Sequence, residues 1–171
     1  MSVQIPLERL KPTLLEFIDE TFSRVHGMYL DKGTTLYETL ATVTAEEASR
    51  SASPKTATIA AQVEHIRFYL DVLEEIIRTQ EFEKKYDWRK IWETVGEVTP
   101  EQWEDLKRRL HQSHDRVLAT INSFEEWDGP YDIGGAISIV AHTAYHLGGI
   151  RQALGVIRSR ETSSQTSATA R

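Results

Sequence analysis

The chain contains no cysteine, which removes a disulfide framework, a thiolate metal cluster and a cysteine nucleophile at once. A cysteine-free composition fits a reducing cytoplasm, and a cytoplasmic protein is expected. Basic charge is also short: 20 lysines and arginines stand against 26 aspartates and glutamates, for a net charge of −6. Sequence-independent nucleic-acid binding needs a basic surface that displaces counterions, so no nucleic-acid partner is expected. No apolar run approaches the ~18 residues of a membrane span, and Met1-Ser2-Val3-Gln4-Ile5-Pro6 lacks the basic, apolar and cleavage regions of a signal peptide. A membrane partner is therefore not expected. With 171 residues the chain is long enough to bury a core as one domain, without disulfides or structural metal.

What the chain does have is helical periodicity, with no strand signal beside it. Apolar residues at Leu7, Leu10, Leu14, Phe17, Ile18, Val25 and Met28 predict a first helix over 7–29. Pro12 either sits in the first turn of a helix that starts near Lys11 or bends the chain there, and Gly33 is a stop signal. Residues 35–42 fit a short helix, and Thr44 with Glu47 forms a capping-box pattern in what reads as a surface connection. A second helix over 56–79 carries one stripe at Val63, Ile66, Leu70, Leu73 and Ile77, and a neighbouring one at Ala61, His65, Phe68, Val72 and Ile76. A third begins where Thr99 caps Pro100 and runs to about Phe124, with its seam at Trp103, Leu106, Leu110, Val117 and Ile121. A fourth begins near Asp132 or Ile133 and ends by about Ser159. Residues 80–99 form a link of roughly 20 residues, longer than the usual helix connection in a bundle, and so read as a crossover along the molecule. The expected fold is all-α, a four-helix bundle with a long crossover between helices two and three. Residues 1–158 would form the bundle domain and 159–171 a disordered polar tail.

Chemical content is concentrated in Ile139-Val140-Ala141-His142-Thr143-Ala144-Tyr145-His146. Residues i and i+4 of a helix lie on one face about 5 to 6 Å apart, so His142 and His146 can direct ring nitrogens at a single ion. The seam Ile139, His142, His146, Ile150, Ala153 and Ile157 turns both rings inward, where each needs a hydrogen bond or a metal. His65 lies on an inward stripe of the second helix. Thr143 occupies the place where a zinc protease needs its general-base glutamate, which argues against that class. No histidine has a glutamate three residues before it, which argues against a ferritin-like di-iron site. A mononuclear three-histidine site remains.

Glu64-His65-Ile66-Arg67-Phe68-Tyr69, taken with His142-Thr143-Ala144-Tyr145-His146-Leu147-Gly148-Gly149-Ile150-Arg151-Gln152, resembles the DinB-like superfamily of four-helix-bundle metalloenzymes over about residues 10–157. The resemblance implies one divalent ion, zinc or nickel, held by His65, His142 and His146, and a mirror-variant bundle that suits the long crossover. Members often carry Gly-Gln after the last histidine. Here Gly148-Gly149 follows, and the glutamine is displaced to Gln152. Some relatives are thiol-dependent transferases or isomerases and others hydrolases, so the resemblance implies a small-molecule substrate and, as a possible cofactor, a low-molecular-weight thiol.

An ion held by three histidines with an open fourth position can lower the pKa of bound water or hold a thiolate. Thr143 is no base, so threonine there favours thiolate binding over peptide hydrolysis. Tyr69, Tyr145 and His114 are the candidates for a proton acceptor, and no catalytic residue is assigned. Glu64 points about 100° away from His65 and reads as a solvent-facing or supporting group. The alternative is a non-catalytic protein whose metal site is structural, closed by a fourth ligand such as His114. Trp88 and Trp92 can pin the crossover to the bundle. With Trp103 and Trp127 they lie outside or at the edges of the seams, and on that basis a homodimer is expected.

Overall fold

The structure, a computed structural model, describes residues 6–169. Helices account for all the regular structure among them: α1 (Leu7–Phe22), α2 (Leu36–Ala41), α3 (Ala45–Ala48), α4 (Ile59–Thr79), α5 (Trp88–Thr94), α6 (Pro100–Ser123) and α7 (Asp132–Thr169). The four long helices build the expected bundle, and the three short ones lie in its connections. No helix among the described residues is long and apolar enough to cross a membrane.

Contacts between side chains give the direction of each helix. Arg109 pairs with Glu64, Arg116 with Asp71, and Thr120 donates to Glu74, so α4 and α6 run parallel. Gln80 bonds Asp132, Tyr69 stacks on His142, and Gln62 lies against Gly149, so α7 runs antiparallel to α4. Lys11 Nζ donates to the carbonyls of Asn122 and Phe124, and Phe22 stacks on His114, which sets α1 antiparallel to α6. The interior is filled by Ile18, Phe22, Ile66, Leu70, Leu110 and Ile139, all fully buried.

Two parallel neighbours cannot be joined by a tight turn, and residues 80–99 solve this by running back along α4. Lys84 and Tyr86 reach Glu75, Trp88 packs on Phe68, Trp92 on His65, and Gly96 accepts a hydrogen bond from Thr58 at the start of α4. The crossover thus spans α4 end to end, as its length predicts. Thr99 then closes a capping box with Gln102, with Pro100 at the first helical position.

Three boundaries differ from the sequence reading. α1 includes Pro12 within the helix and stops at Phe22 rather than at 29, leaving Met28 exposed. The cause is Glu20, a fully buried carboxylate that accepts the backbone N–H groups of His26, Met28, Tyr29 and Leu30. Burial pushes the Glu20 pKa up, but these donors outweigh it and hold it below the ordinary carboxylate value. Gly27, in the left-handed region at φ 83°, lets the chain fold back over the carboxylate. α4 begins at Ile59, capped by Thr58, rather than at 56. α7 continues past Ser159 to Thr169, so the described part of the tail read over 159–171 is helical. That stretch has no proline or glycine, Glu161 pairs with Arg50, and Thr162 and Ser163 donate to the carbonyls of Arg158 and Ser159. Residues 1–5, read above for a signal peptide, and Ala170 and Arg171 of the tail lie outside the described residues.

Trp103 takes the seam position that its periodicity predicts and is no edge residue for a dimer contact: it is 1 % exposed, and its indole N–H donates to the Val43 carbonyl at 2.9 Å.

Two tests follow from this packing. Glu20→Ala should lower the unfolding free energy by about 3 kcal/mol in urea titration, because several backbone donors lose one charged acceptor together. A loss below about 1 kcal/mol would mean that other contacts hold the 26–30 loop. At Gly135 an added Cβ would lie 2.5 Å from Ile77 Cγ1, whereas at Gly134 it meets nothing. Gly135→Ala should therefore destabilise by about 1–3 kcal/mol, while Gly134→Ala should stabilise by up to about 1 kcal/mol; equal effects would refute the close α4–α7 approach.

Candidate metal centre

The antiparallel register of α4 and α7 brings His65 opposite His142 and His146. One ring nitrogen from each lies within 4.8 Å of the others, a group that could hold one metal ion. The ring centroids are 4.9 Å apart for His65 and His142, 4.8 Å for His65 and His146, and 4.6 Å for His142 and His146. The most buried face of α7 runs through Ala136, Ile139, Thr143, Leu147 and Ile150. His142 and His146 sit one step off that face, half-buried, and so look toward α4 and the crossover rather than into the centre of the bundle. His65 is 8 % exposed.

Aromatic rings frame the cluster. Trp92 lies over His65 at 4.5 Å and Trp88 meets its edge at 6.1 Å. Tyr69 stacks on His142 at 3.6 Å with the planes 14° apart. Tyr145, 77 % exposed, sets its ring against the edge of His146. Beyond His146 opens a cleft of about 460 Å³ between α4, α5 and α7, with Trp92 and Tyr145 in its walls.

The donor set fits a divalent ion on two counts. His65 Nδ1 and His142 Nε2 are buried without a hydrogen-bond partner, and a buried polar atom left bare is costly unless a ligand satisfies it. The imidazoles are also held neutral, the form that ligates. Burial, then the neighbouring His146 and His65, pushes His142 down to about 4; burial and His65 do the same to His146. Burial likewise lowers His65.

The structure separates the remaining sequence candidates. His114 does not join the cluster: it is buried between Phe22 and Tyr37, 4.2 Å from the Phe22 ring, so it cannot close the site as a fourth ligand. Tyr69 is beside the cluster, but burial raises its pKa, so it stays protonated and is a donor rather than a base. Thr143 is fully buried in the core. Glu64 is turned away, paired with Arg67 and Arg109. Sequence reasoning missed Gln62, which lines the cleft; its place three residues before His65, on the same helical face, was the available signal.

An imidazole that titrates near 6.5 in the unfolded chain and near 4 in the folded one binds its proton preferentially when unfolded. Stability of the metal-free protein is therefore lost as pH falls below about 6.5 toward about 4. Thermal melts should show Tm declining across that window, less steeply in a His142→Gln, His146→Gln double variant. An unchanged slope would assign the acid sensitivity to other groups, His114 first.

Residues 30–150 match the family model described as the DinB superfamily. No curated protein and no solved structure matches the chain. The matched span covers more than half of the sequence and includes His65, His142 and His146, and the chain belongs to the DinB superfamily.

Proposed function

We propose that this protein binds one divalent ion, zinc or nickel, through His65, His142 and His146, and that it is a metal-dependent enzyme acting on a small molecule in the adjoining cleft. The observation that carries this reading is the convergence of three neutral imidazoles, two with bare buried nitrogens, with His146 in the wall of an open cleft. When bound, the ion would supply positive charge at an open coordination position, where water or a thiol loses its proton more readily. Imidazole donors suit both zinc and nickel.

The chain's own residues divide the remaining work. Trp88 and Trp92 shield His65 from water, and Tyr69 fixes the plane of His142. No carboxylate lines the cleft, so a general base for hydrolysis is missing from its walls. A thiol needs no such base, because coordination alone favours the thiolate. We therefore favour a thiol-dependent transferase or isomerase over a hydrolase. A structural role for the ion is the competing reading, and the cleft beside His146 speaks against it, since structural sites are closed by protein ligands.

We further propose a homodimer, on a different basis from the tryptophans. Trp103 is in the core, and Trp88 and Trp92 cover the histidines. What stands exposed on α7 away from the cleft is Ile133 and Ile137, and large apolar side chains there fit a contact between copies. A monomer mass by light scattering at tens of micromolar would overturn this.

Elemental analysis of purified protein should find about one equivalent of divalent metal. His65→Ala and His142→Ala should each lose it while far-ultraviolet circular dichroism stays helical, because the apolar core does not include the ion. Metal content unchanged in either variant would refute the three-histidine site.

A further inference from the structure

The cleft beside His146 differs from the rest of the surface in its charge. Over a quarter of the chain is Asp, Glu, Lys or Arg, and four other clefts each carry both signs: Glu104 with Lys107, Glu8 with Lys11, Glu64 with Lys90, and Glu38 with Arg158. The cleft at the histidines has no charged side chain in its wall. Its apolar side is Ala57, Trp92, Ala153 and Val156, and its polar groups are the neutral side chains of Thr56, Gln62, Tyr145 and Gln152. A carboxylate or phosphate held away from the ion finds no cationic side chain on these walls to offset its loss of water. A neutral amide or hydroxyl group, by contrast, finds partners.

Gln62 is the best placed of those partners. It stands three residues before His65 on α4, and across from it Gly149 stands three residues after His146 on α7, so both ligand-bearing helices meet at this point. A Cβ on residue 149 would lie 3.1 Å from Gln62 Oε1; glycine there gives the amide room to lie over α7 at the mouth of the cluster. Among the described residues the Gln62 amide has no hydrogen-bond partner, so its donor and acceptor are both free for a ligand.

We infer that the molecule taken by this cleft is uncharged apart from the atom it presents to the metal, and that Gln62 recognises its neutral polar body, because the cleft wall joins an unpartnered amide to His146 of the histidine cluster and carries no charged side chain. This rests on the metal-centre reading above. It selects against thiols or substrates with carboxylate or phosphate tails and for those with amide or hydroxyl groups.

The test uses the cobalt-substituted protein and four thiols of similar length, followed by the sulfur-to-metal charge-transfer band and compared at equal thiolate concentration. The wild type should bind N-acetylcysteamine and mercaptoethanol at least tenfold more tightly than mercaptopropionate. Gln62→Leu should weaken N-acetylcysteamine roughly fivefold, the size of one neutral hydrogen bond, and leave propanethiol unchanged. Gln62→Lys should reverse the order in favour of mercaptopropionate. Gln62 is only partly buried, and circular dichroism checks that each variant folds. Equal affinity for neutral and anionic thiols, or a Gln62→Leu variant that treats all four as the wild type does, overturns the inference while leaving the metal centre standing. A cobalt spectrum that no thiol changes overturns the open-site reading, and this inference with it.

Discussion

The site depends on one register, that of α7 against α4. Gln80 closes α4 in the left-handed conformation, at φ 59°, a cost of the order of 1–2 kcal/mol for a residue with a Cβ. Its side chain offsets that cost: the amide donates to the Ile77 carbonyl and to Asp132, and the carbonyl accepts from Tyr131 N–H. Asp132 in turn accepts from Gly129 N–H. The start of α7 is therefore tied to the end of α4, and Gly135 then lets the helices approach over Ile77. Once that end is fixed, the common rise of two helices carries His142 and His146 to the level of His65.

The parallel pair α4 and α6 imposes the second constraint. A chain leaving α4 must return to its start before α6 can begin, and the return path lies across the face that carries His65. A fold requirement thereby supplies the cover of the site: the same residues that make the connection, Trp88 and Trp92, shield the imidazole. The other side of α4 has a different composition. Glu64, Arg67 and Asp71 meet Arg109 and Arg116 in a chain of ion pairs on α6. Partly solvated pairs of this kind add little stability individually, but they mark the α4–α6 register and keep Glu64 engaged away from the histidines. Around the histidines, charge is thus sorted to the α6 flank of α4.

Charge and burial also separate the buried histidines into two kinds. His114 is neutral because it is packed between aromatic rings, and its pKa is pushed down to about 4, but among the described residues it belongs to no group of three donors that could hold a metal. His142 and His146 are lowered to a similar value, with other imidazoles contributing alongside burial. A depressed pKa therefore does not by itself distinguish a core histidine from a ligand; the convergence of ring nitrogens does.

Much of this was legible in the chain because helical periodicity is a local property. The stripes on residues 59–79, 100–123 and 132–157, the cap at Thr99 and the four-residue spacing of His142 and His146 each follow from neighbours within a turn or two. The length of the 80–99 link forced a crossover, since a short loop cannot join parallel helices. The tertiary structure decided what depends on residues far apart in sequence. The end of α1 at Phe22 is set by Glu20 reaching forward to backbone groups beyond the helix, and the acceptor of the Trp103 indole, the Val43 carbonyl, comes from a distant part of the chain. That His65 comes level with His142 and His146 while His114 stands apart, that the tryptophans cover the cluster, and that the cleft beside it carries no charged side chain all come from the relative register of the packed helices. Register is a property of packed surfaces, and no single helix contains the information that sets it.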